Sequence, residues 1–211
     1  MEIGIIGATG NAGKAIFEEA VRRGHDVTAI VRDREKAVEV LGHEAKILEK
    51  DAFSLSQADL AGFDYVIDAF RSPKAYEHLD LAAKLIRLFR GNKHTTLFFI
   101  LGAASLKDPS GNRLLKAILA NNANAPWIET PLQQVHEYDF LTWIDNVNWT
   151  AISPQGNFKV GPATEYVMGT DQLMQNTEGE SVVTTGNVAV AIVDEIEHPK
   201  HLRQRFTVVD K

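Results

Sequence analysis

The sequence predicts an α/β fold in which a doubly wound parallel sheet carries helices on both faces. Short apolar runs alternate with helix-like stretches through the first half of the chain. This alternation favours right-handed βαβ units, and therefore a parallel sheet. The first run, Ile3 to Ile6, is apolar without interruption apart from one glycine and leads into a glycine-rich turn. Such a run is typical of a strand that is buried on both faces.

The first half contains five predicted strands. They cover residues 3–6, 27–31, 45–48, 65–67 and 97–101, with helices predicted at 12–23, 33–41 and 75–89. In the first helix, Ala15, Ile16, Ala20 and Val21 recur near helical spacing, and Gly24 is a typical residue to end it. The second helix is rich in charge, and the third is long and amphipathic.

The second half is less regular. Residues 102–131 are rich in Asn, Gly and Pro, which predicts a long loop with a short helix. Helices are predicted at 132–144 and 188–196, and strands at 149–153, 164–168, 181–185 and 205–209. No linker-like composition divides the chain. We therefore predict a single domain over residues 1–211, in which residues 155–185 form a small C-terminal elaboration on the substrate side.

Composition excludes several classes of protein. The chain has 211 residues, no cysteine and a net charge of −6, so disulfide scaffolds, Cys-ligated metals and thiol nucleophiles are excluded. An acidic chain without a basic run is a poor match for nucleic acid. The most apolar window, residues 97–106, is about half of a membrane span. The start of the sequence shows no signal peptide pattern. We expect a cytoplasmic monomer or homodimer that contacts neither membrane nor nucleic acid.

The strongest motif is the glycine-rich loop between the first strand and the first helix. Its glycines have the spacing G-x-x-G-x-x-G, which allows a sharp turn and a close approach of the backbone to a pyrophosphate. The start of the helix then offers free N–H groups to the phosphates. The predicted cofactor-binding residues of the loop are Gly7, Thr9, Gly10, Asn11, Ala12 and Gly13.

Two other interpretations of this loop are weaker. A P-loop requires glycine at position 8 and Ser or Thr at position 15, where the chain has Ala8 and Ala15. A glycine turn with only a structural role remains open, but the preceding strand and the following helix favour a dinucleotide site.

The residues that follow the second, third and fourth strands indicate where the rest of the cofactor would lie and whether it is NADP(H) or NAD(H). Arg32 is the first polar side chain after the second strand, where a guanidinium can hold a 2′-phosphate, and this favours NADP(H) while NAD(H) stays possible. The alternative interpretation is that Arg32 is an ordinary surface residue. Asp51 follows the third strand, at the place of an adenine edge, or else caps a helix. Ala69, Phe70 and Arg71 follow the fourth strand and are predicted to border the cofactor.

The chain resembles the atypical short-chain dehydrogenase/reductases, and among them the NADH-flavin reductase type related to biliverdin reductase B and NmrA-like proteins. The resemblance covers essentially the whole chain. The stretches that carry it are Gly7–Gly13, Val31–Asp33, Val66–Ala69, Leu101–Leu106, Trp149–Pro154 and Ala189–Glu197. It implies a Rossmann-like fold, binding of NADP(H), and reduction of flavins or quinones, with FMN or FAD as a substrate and not as a resident cofactor.

The residues expected to carry out chemistry depart from the usual pattern. Many short-chain dehydrogenases use a Tyr followed by Lys four residues later, and none of the four tyrosines here has such a partner. Related sequences tend to carry a lysine in the helix at 132–144, where the best-matching position holds His136. Ser105, after the fifth strand, and His136 are the candidate catalytic residues.

Further candidates lie beyond other strand ends. Gly102 and Gln155 are predicted to border the cofactor, although a plain loop role is as consistent with Gln155. Phe158 and Trp127 could stack on a flat substrate, but packing in the core or in a lid is the favoured role for both. His198 and His201 have helical spacing, but Pro199 lies between them and no third ligand is evident, so no metal site is predicted.

These observations together predict an NAD(P)H-dependent oxidoreductase that transfers a hydride to a flavin, a quinone or a similar flat small molecule. Such acceptors need little acid catalysis, because the cofactor carries the chemistry and the protein supplies orientation. Two alternatives stay open. One is a non-catalytic redox sensor of the NmrA-like type that binds NADP(H), and the absent Tyr–Lys pair favours it. The other is a nucleotide-sugar epimerase-like enzyme, although the absent Tyr–Lys pair argues against it.

Overall fold

A computed structural model describes residues 1–211. Ten strands are present: β1 Glu2–Ile6, β2 Asp26–Val31, β3 Lys46–Glu49, β4 Tyr65–Asp68, β5 Thr96–Ile100, β6 Trp149–Pro154, β7 Asn157–Lys159, β8 Tyr166–Gly169, β9 Val182–Thr184 and β10 Arg205–Asp210. The helices are α1 Asn11–Arg22, α2 Arg34–Leu41, α3 Gln57–Leu60, α4 Glu77–Phe89, α5 Leu114–Asn122, α6 Glu129–Thr142 and α7 Thr185–Glu197. Two short 3₁₀ turns, Ala52–Ser54 and Ala103–Ser105, complete the set.

Eight strands form one sheet in the order β3-β2-β1-β4-β5-β6-β10-β8. All neighbours pair in parallel except β8, which runs antiparallel to β10. The first six strands have the order 3-2-1-4-5-6 that defines the Rossmann fold, so the predicted fold class is confirmed. In this topology ligands bind beyond the carboxyl ends of the strands, next to the point where the strand order reverses.

Two hydrophobic layers cover the sheet, one on each face. Consecutive side chains of a strand point to opposite faces, and in β4 Val66 and Ile67 accordingly belong to different layers. Helices α1 and α7 pack on the face of Ile67. Helices α4 and α6 pack on the face of Val66. The strands therefore read as continuous apolar runs because both of their faces are buried.

The second half differs from prediction in its boundaries. Helix α6 begins at Glu129, ahead of the predicted residue 132, because Pro131 falls in the first turn, where a missing N–H costs no hydrogen bond. Helix α7 begins at Thr185, where a strand was expected to continue, because the Thr184 side chain accepts a hydrogen bond from the Asn187 N–H and caps the helix.

A small two-stranded sheet is an addition that the sequence did not predict. Strands β7 and β9 pair in parallel outside the main sheet, and both lie within the region 155–185 that was expected to elaborate the substrate side. All three residues of β7 are exposed, so this strand lacks the apolar pattern that makes a strand recognisable. No helix combines the length and the apolar character that a membrane crossing demands.

Candidate functional site

The turn between β1 and α1 requires glycine at its two ends. Gly7 has a φ of +76°, and a Cβ there would lie 2.6 Å from the Ala69 carbonyl oxygen. A Cβ at Gly13 would overlap the Gly7 carbonyl oxygen and lie 2.8 Å from Cα of Ala8. These neighbours are backbone atoms, which cannot rotate away as a side chain can. Because Gly7 and Gly13 have no side chains, the start of α1 can lie close against β1 and β4.

The N-terminus of α1 has unpaired N–H groups and no competing negative charge. Gly10 is the N-cap, and no side chain caps the helix. The first turn contains no acidic residue. The N–H groups of Asn11, Ala12 and Gly13 have no partner within the helix, and the helix dipole adds partial positive charge at the same place. This arrangement suits an anionic group such as a pyrophosphate.

Two clefts meet at this loop. The larger, of about 680 Å³, extends from Gly10, Asn11 and Ala12 to Phe158 on β7. The smaller, of about 300 Å³, extends from Gly7 toward Arg32 after β2. The two clefts share Gly10 and the segment Ala69–Arg71 that follows β4. Both clefts thus adjoin the loop at which a Rossmann fold binds the pyrophosphate of a dinucleotide.

The smaller cleft is rich in positive charge. Arg32, Lys36, Lys50 and Arg71 line it, and Asp33 is its only carboxylate. The Asp33 side chain is already engaged, because it accepts a hydrogen bond from the Lys36 N–H at 2.9 Å as the N-cap of α2. Of the four cations, Lys50 pairs with Asp59 outside the cleft at 2.6 Å.

Most of the predicted cofactor-binding residues are brought together at these clefts. Those that line one or both of them are Gly7, Thr9, Gly10, Asn11, Ala12, Arg32, Ala69, Phe70 and Arg71. Gly13 packs beneath the loop. Asp51 lies between Lys50 and Ala52, which line the smaller cleft, but its carboxylate accepts the Phe53 N–H at 2.8 Å and caps the 3₁₀ turn. Its contact with adenine stays a prediction.

Ser105 and Gln155 do not line either cleft. Ser105 is 1% exposed, and its hydroxyl accepts a hydrogen bond from Nη1 of Arg205 at 2.7 Å. Gln155 is equally buried, donates to Thr207 Oγ1 at 2.7 Å and accepts the Met174 N–H. Both side chains are held by internal hydrogen bonds to residues distant in the sequence. Their roles as ligand-contacting groups stay predictions that this arrangement does not support.

Of the remaining candidate residues, only Phe158 lines one of the two clefts. His136 is exposed on α6 and lines neither cleft, whereas Gln134 of the same helix lines the larger one. Gly102, the N-cap of the 3₁₀ turn after β5, lines neither cleft, and the Gln134 side chain packs so closely on it that a Cβ would overlap the amide. Phe158 lines the larger cleft, as a residue that stacks on a flat substrate should, but Trp127 does not.

A group of buried titratable side chains lies on the α4–α6 face near this edge of the sheet. Burial raises the pKa of Asp68, at the end of β4, to about 7, although its carboxylate accepts the Phe70 N–H at 3.0 Å. Burial, and secondarily the Asp68 charge, raise the pKa of Glu137 on α6 well above its usual range. Burial, helped by the Arg71 charge, lowers the pKa of His78 on α4, which lines the larger cleft. All three groups are therefore biased toward their neutral forms.

The sequence analysis did not single out these three residues. Asp68 had a visible signal, because it is a carboxylate at the end of an otherwise apolar strand. His78 and Glu137 had none, because a helical residue reveals its environment only when the partner of each helix face is known. The Nε2 atom of His78 and the Oε2 atom of Glu137 are buried without a hydrogen-bond partner. Unpartnered buried polar atoms are uncommon and often mark functional regions.

Comparison with known proteins agrees with this geometry. The Bacillus subtilis protein YwnB is 38% identical over 100% of this chain and 99% of its own length. A Lactobacillus casei protein of known structure is 45% identical, with a TM-score of 0.95 and coverage of 100% and 99% of the two chains. A Streptococcus pneumoniae protein, provisionally named an NADH-flavin reductase, is 34% identical, with a TM-score of 0.88 and full coverage of both chains.

The match to a protein family covers nearly the whole chain. Residues 7–199 match the family described as NAD(P)H-binding, and this range begins at the first glycine of the loop and ends after α7. In Rossmann folds such cofactors bind at a glycine-rich loop and the helix N-terminus that follows it, beyond the carboxyl ends of the strands. The chain belongs to the NAD(P)H-binding family.

Proposed function

We propose that the protein is an NAD(P)H-dependent oxidoreductase that transfers a hydride to a flat small molecule of the flavin or quinone class. The observation that carries this proposal is the size and position of the larger cleft. It begins at the N-terminus of α1 and continues past the ends of β4 and β5 to the aromatic ring of Phe158. It therefore has room for an acceptor beside a nicotinamide. The provisional name of the Streptococcus pneumoniae relative supports the same class of reaction.

The residues of the chain have positioning roles in this reaction. When bound, the cofactor supplies a hydride, and with one proton from solvent this converts an oxidised flavin or quinone to its two-electron-reduced form. The glycine loop and the α1 N-terminus hold the pyrophosphate. Phe70 and Phe158 offer apolar ring surfaces on the walls of the larger cleft. Placing two reactants in contact contributes several kcal/mol to catalysis without a strong protein acid.

We also propose that NADP(H) is preferred over NAD(H). The supporting observation is the positive charge of the smaller cleft, in which the one carboxylate is already engaged as a helix cap. A free acidic residue at the end of β2 would instead favour the ribose 2′-hydroxyl of NAD. The Arg32 side chain is exposed at this position and suits a 2′-phosphate.

Replacing Arg32 with alanine should weaken NADPH binding by about 1–3 kcal/mol and leave NADH binding nearly unchanged, because a charge-assisted contact to the 2′-phosphate is lost. Calorimetric titration with each cofactor measures both values. Arg34→Ala is the matched control, because Arg34 bonds to the Ile47 carbonyl and pairs with Glu49 outside the cleft. An equal loss of affinity for the two cofactors would show that Arg32 does not contact the 2′-phosphate.

The proposed activity is tested by mixing the protein with NADPH and FMN, riboflavin or a naphthoquinone while following absorbance at 340 nm. We expect oxidation of NADPH well above the rate without protein, with one acceptor reduced per NADPH consumed. If the protein binds NADPH but accelerates its oxidation with none of these acceptors, the proposed reductase activity is wrong.

A further inference from the structure

One side of the larger cleft is formed by uncharged polar residues. His78 of α4 and Thr130 and Gln134 of α6 all line the cleft. Thr130 and Gln134 are four residues apart, so they lie on the same face of their helix. Helices α4 and α6 pack against each other, which places the three residues on one side of the cleft. We call these three residues the polar wall.

The Gln134 amide has a defined position at the end of β5. It packs so closely on Gly102 that a Cβ at this glycine would overlap the amide oxygen and lie 2.9 Å from Cδ. Gly102 directly follows Leu101, which lines the larger cleft. The glycine therefore leaves room for the amide at the edge of the cleft, and any residue with a Cβ at position 102 would displace it.

The imidazole of His78 is placed at the same wall by its packing on Phe70. The two rings meet edge to face with their centroids 5.9 Å apart, and Phe70 lines both clefts. Burial, and secondarily the Arg71 charge, lower the pKa of His78. The ring is therefore uncharged at neutral pH, and an uncharged imidazole offers one N–H donor and one acceptor nitrogen.

No hydrogen bond within the protein satisfies the side chains of the polar wall. The side-chain hydrogen bonds of α6 are those of Asp139 and Thr142, so the amide of Gln134 and the hydroxyl of Thr130 have none. The Nε2 atom of His78 is enclosed without a partner, in a residue that is 8% exposed. A buried polar atom in this state lowers stability, and in a native protein it calls for a functional explanation.

The chemistry of the polar wall indicates the group that it binds. A glutamine amide presents a donor and an acceptor in one plane, and it can form two parallel hydrogen bonds with another planar group of the same kind. A carboxylate or a phosphate would instead require charge-assisted bonds, which three uncharged side chains do not supply. Phe70 and Phe158 add aromatic surfaces to the same cleft. The matching ligand is an aromatic ring system that carries a planar amide.

We propose that the polar wall of His78, Thr130 and Gln134 binds a planar amide of the ligand in the larger cleft, and that the Gln134 carbonyl accepts the amide N–H. This inference rests on the proposed function, in which two ligands carry such a group. One is the cofactor, through the carboxamide of its nicotinamide ring. The other is a flavin-type acceptor, through the imide edge that quinones lack. The polar wall orients the ring that carries the amide and transfers neither hydride nor proton.

Two pairs of ligands test this inference, because the members of each pair differ in one amide N–H group. NADP⁺ is compared with its 3-acetylpyridine analogue, in which a methyl group replaces the carboxamide NH₂. Lumiflavin is compared with 3-methyllumiflavin, in which a methyl group replaces the imide hydrogen. Calorimetry measures binding of the nucleotides, and quenching of fluorescence measures binding of the flavins in the presence of NADP⁺. In at least one pair the wild type should prefer the N–H member by about five-fold, the contribution of one uncharged hydrogen bond.

The Gln134→Met variant should lose this preference, because methionine has a similar length and volume but no amide. A methyl group that merely collided with the wall would be disfavoured by glutamine and methionine alike, so the loss reports on the hydrogen bond. Gln133→Met is the matched control, because Gln133 is the adjacent residue of α6 and lines neither cleft. It should keep the wild-type preference.

The His78→Phe variant separates a binding role from a packing role. Phenylalanine keeps an aromatic ring against Phe70 and removes the unpartnered nitrogen, so the melting temperature should equal or exceed that of the wild type. The affinity for the preferred N–H ligand should nevertheless fall by about three-fold or more. A lower melting temperature with unchanged affinity would show that His78 only packs, and would contradict its place in the site.

The inference is wrong if the wild type shows no preference in either pair, or if Gln134→Met leaves the preference unchanged. A preference confined to the nucleotide pair assigns the polar wall to the nicotinamide, and one confined to the flavin pair assigns it to the acceptor. These measurements of binding do not depend on turnover. A preference that depends on Gln134 without any NADPH oxidation would retain the inference and refute the reductase activity.

Discussion

A Gly13→Ala variant should lose NADPH binding by about 100-fold or more, which corresponds to about 3 kcal/mol. The added Cβ would overlap the Gly7 carbonyl oxygen and crowd Cα of Ala8. Neither atom can move without shifting the turn itself. The start of α1 would therefore be displaced from β1, and the N–H groups that suit a pyrophosphate would no longer lie beside the loop.

Two other glycines make this prediction specific. A Cβ at Gly62 would have open space around it at an ordinary backbone conformation, so Gly62→Ala should bind NADPH like the wild type. A Cβ at Gly10 would lie 3.3 Å from the Gly7 carbonyl oxygen, so Gly10→Ala should keep the fold and weaken binding by an intermediate amount. Calorimetry with NADPH and thermal unfolding followed by circular dichroism measure the three variants. Wild-type affinity in Gly13→Ala and Gly10→Ala would place the cofactor elsewhere.

As pH rises from 4 to 8, the Asp68→Asn variant should become more stable relative to the wild type by about 4 kcal/mol of unfolding free energy. Burial raises the pKa of the Asp68 carboxyl from 3.8 to about 7. Between these values the folded protein binds more protons than the unfolded chain, so this group lowers the stability as pH rises. The asparagine keeps an acceptor for the Phe70 N–H and cannot ionise.

Urea unfolding at pH 4 and pH 8 measures this dependence. Comparing the variant with the wild type at each pH removes the contributions of other carboxylates, several of which have lowered pKa values and act in the opposite direction. Asp80→Asn, on the exposed side of α4, is the matched control. A difference between Asp68→Asn and the wild type that does not change with pH would show that the buried carboxyl is not held in its protonated form.

Features that depend on neighbouring residues could be predicted from the sequence. The strands β1 to β6 were predicted within one or two residues at each boundary, because each is a compact apolar run followed by a polar or glycine-rich segment. The glycine loop was recognised because its spacing, the preceding strand and the following helix are all local. The same holds for Arg32 and for Ala69 to Arg71, which follow strands whose carboxyl ends meet at one edge.

Features that join distant parts of the chain could not be predicted. Ser105 follows β5 at the edge of the sheet where ligands bind, but its hydroxyl accepts a hydrogen bond from Arg205, a hundred residues later. His78 and Glu137 are ordinary residues of amphipathic helices until the packing of α4 and α6 on the sheet buries them.

The amino-acid sequence alone was sufficient to predict the α/β class, the glycine loop that suits a pyrophosphate and the strand ends that line the adjoining clefts. Backbone conformation and burial on both faces of a strand are set within a few residues, and they leave a direct pattern of glycines and apolar side chains. The packing of distant elements sets which polar side chains face the cleft and which form internal hydrogen bonds. The environment of a polar side chain depends on which elements pack together. It cannot be predicted from the residue and its neighbours when the partner lies far away in the chain.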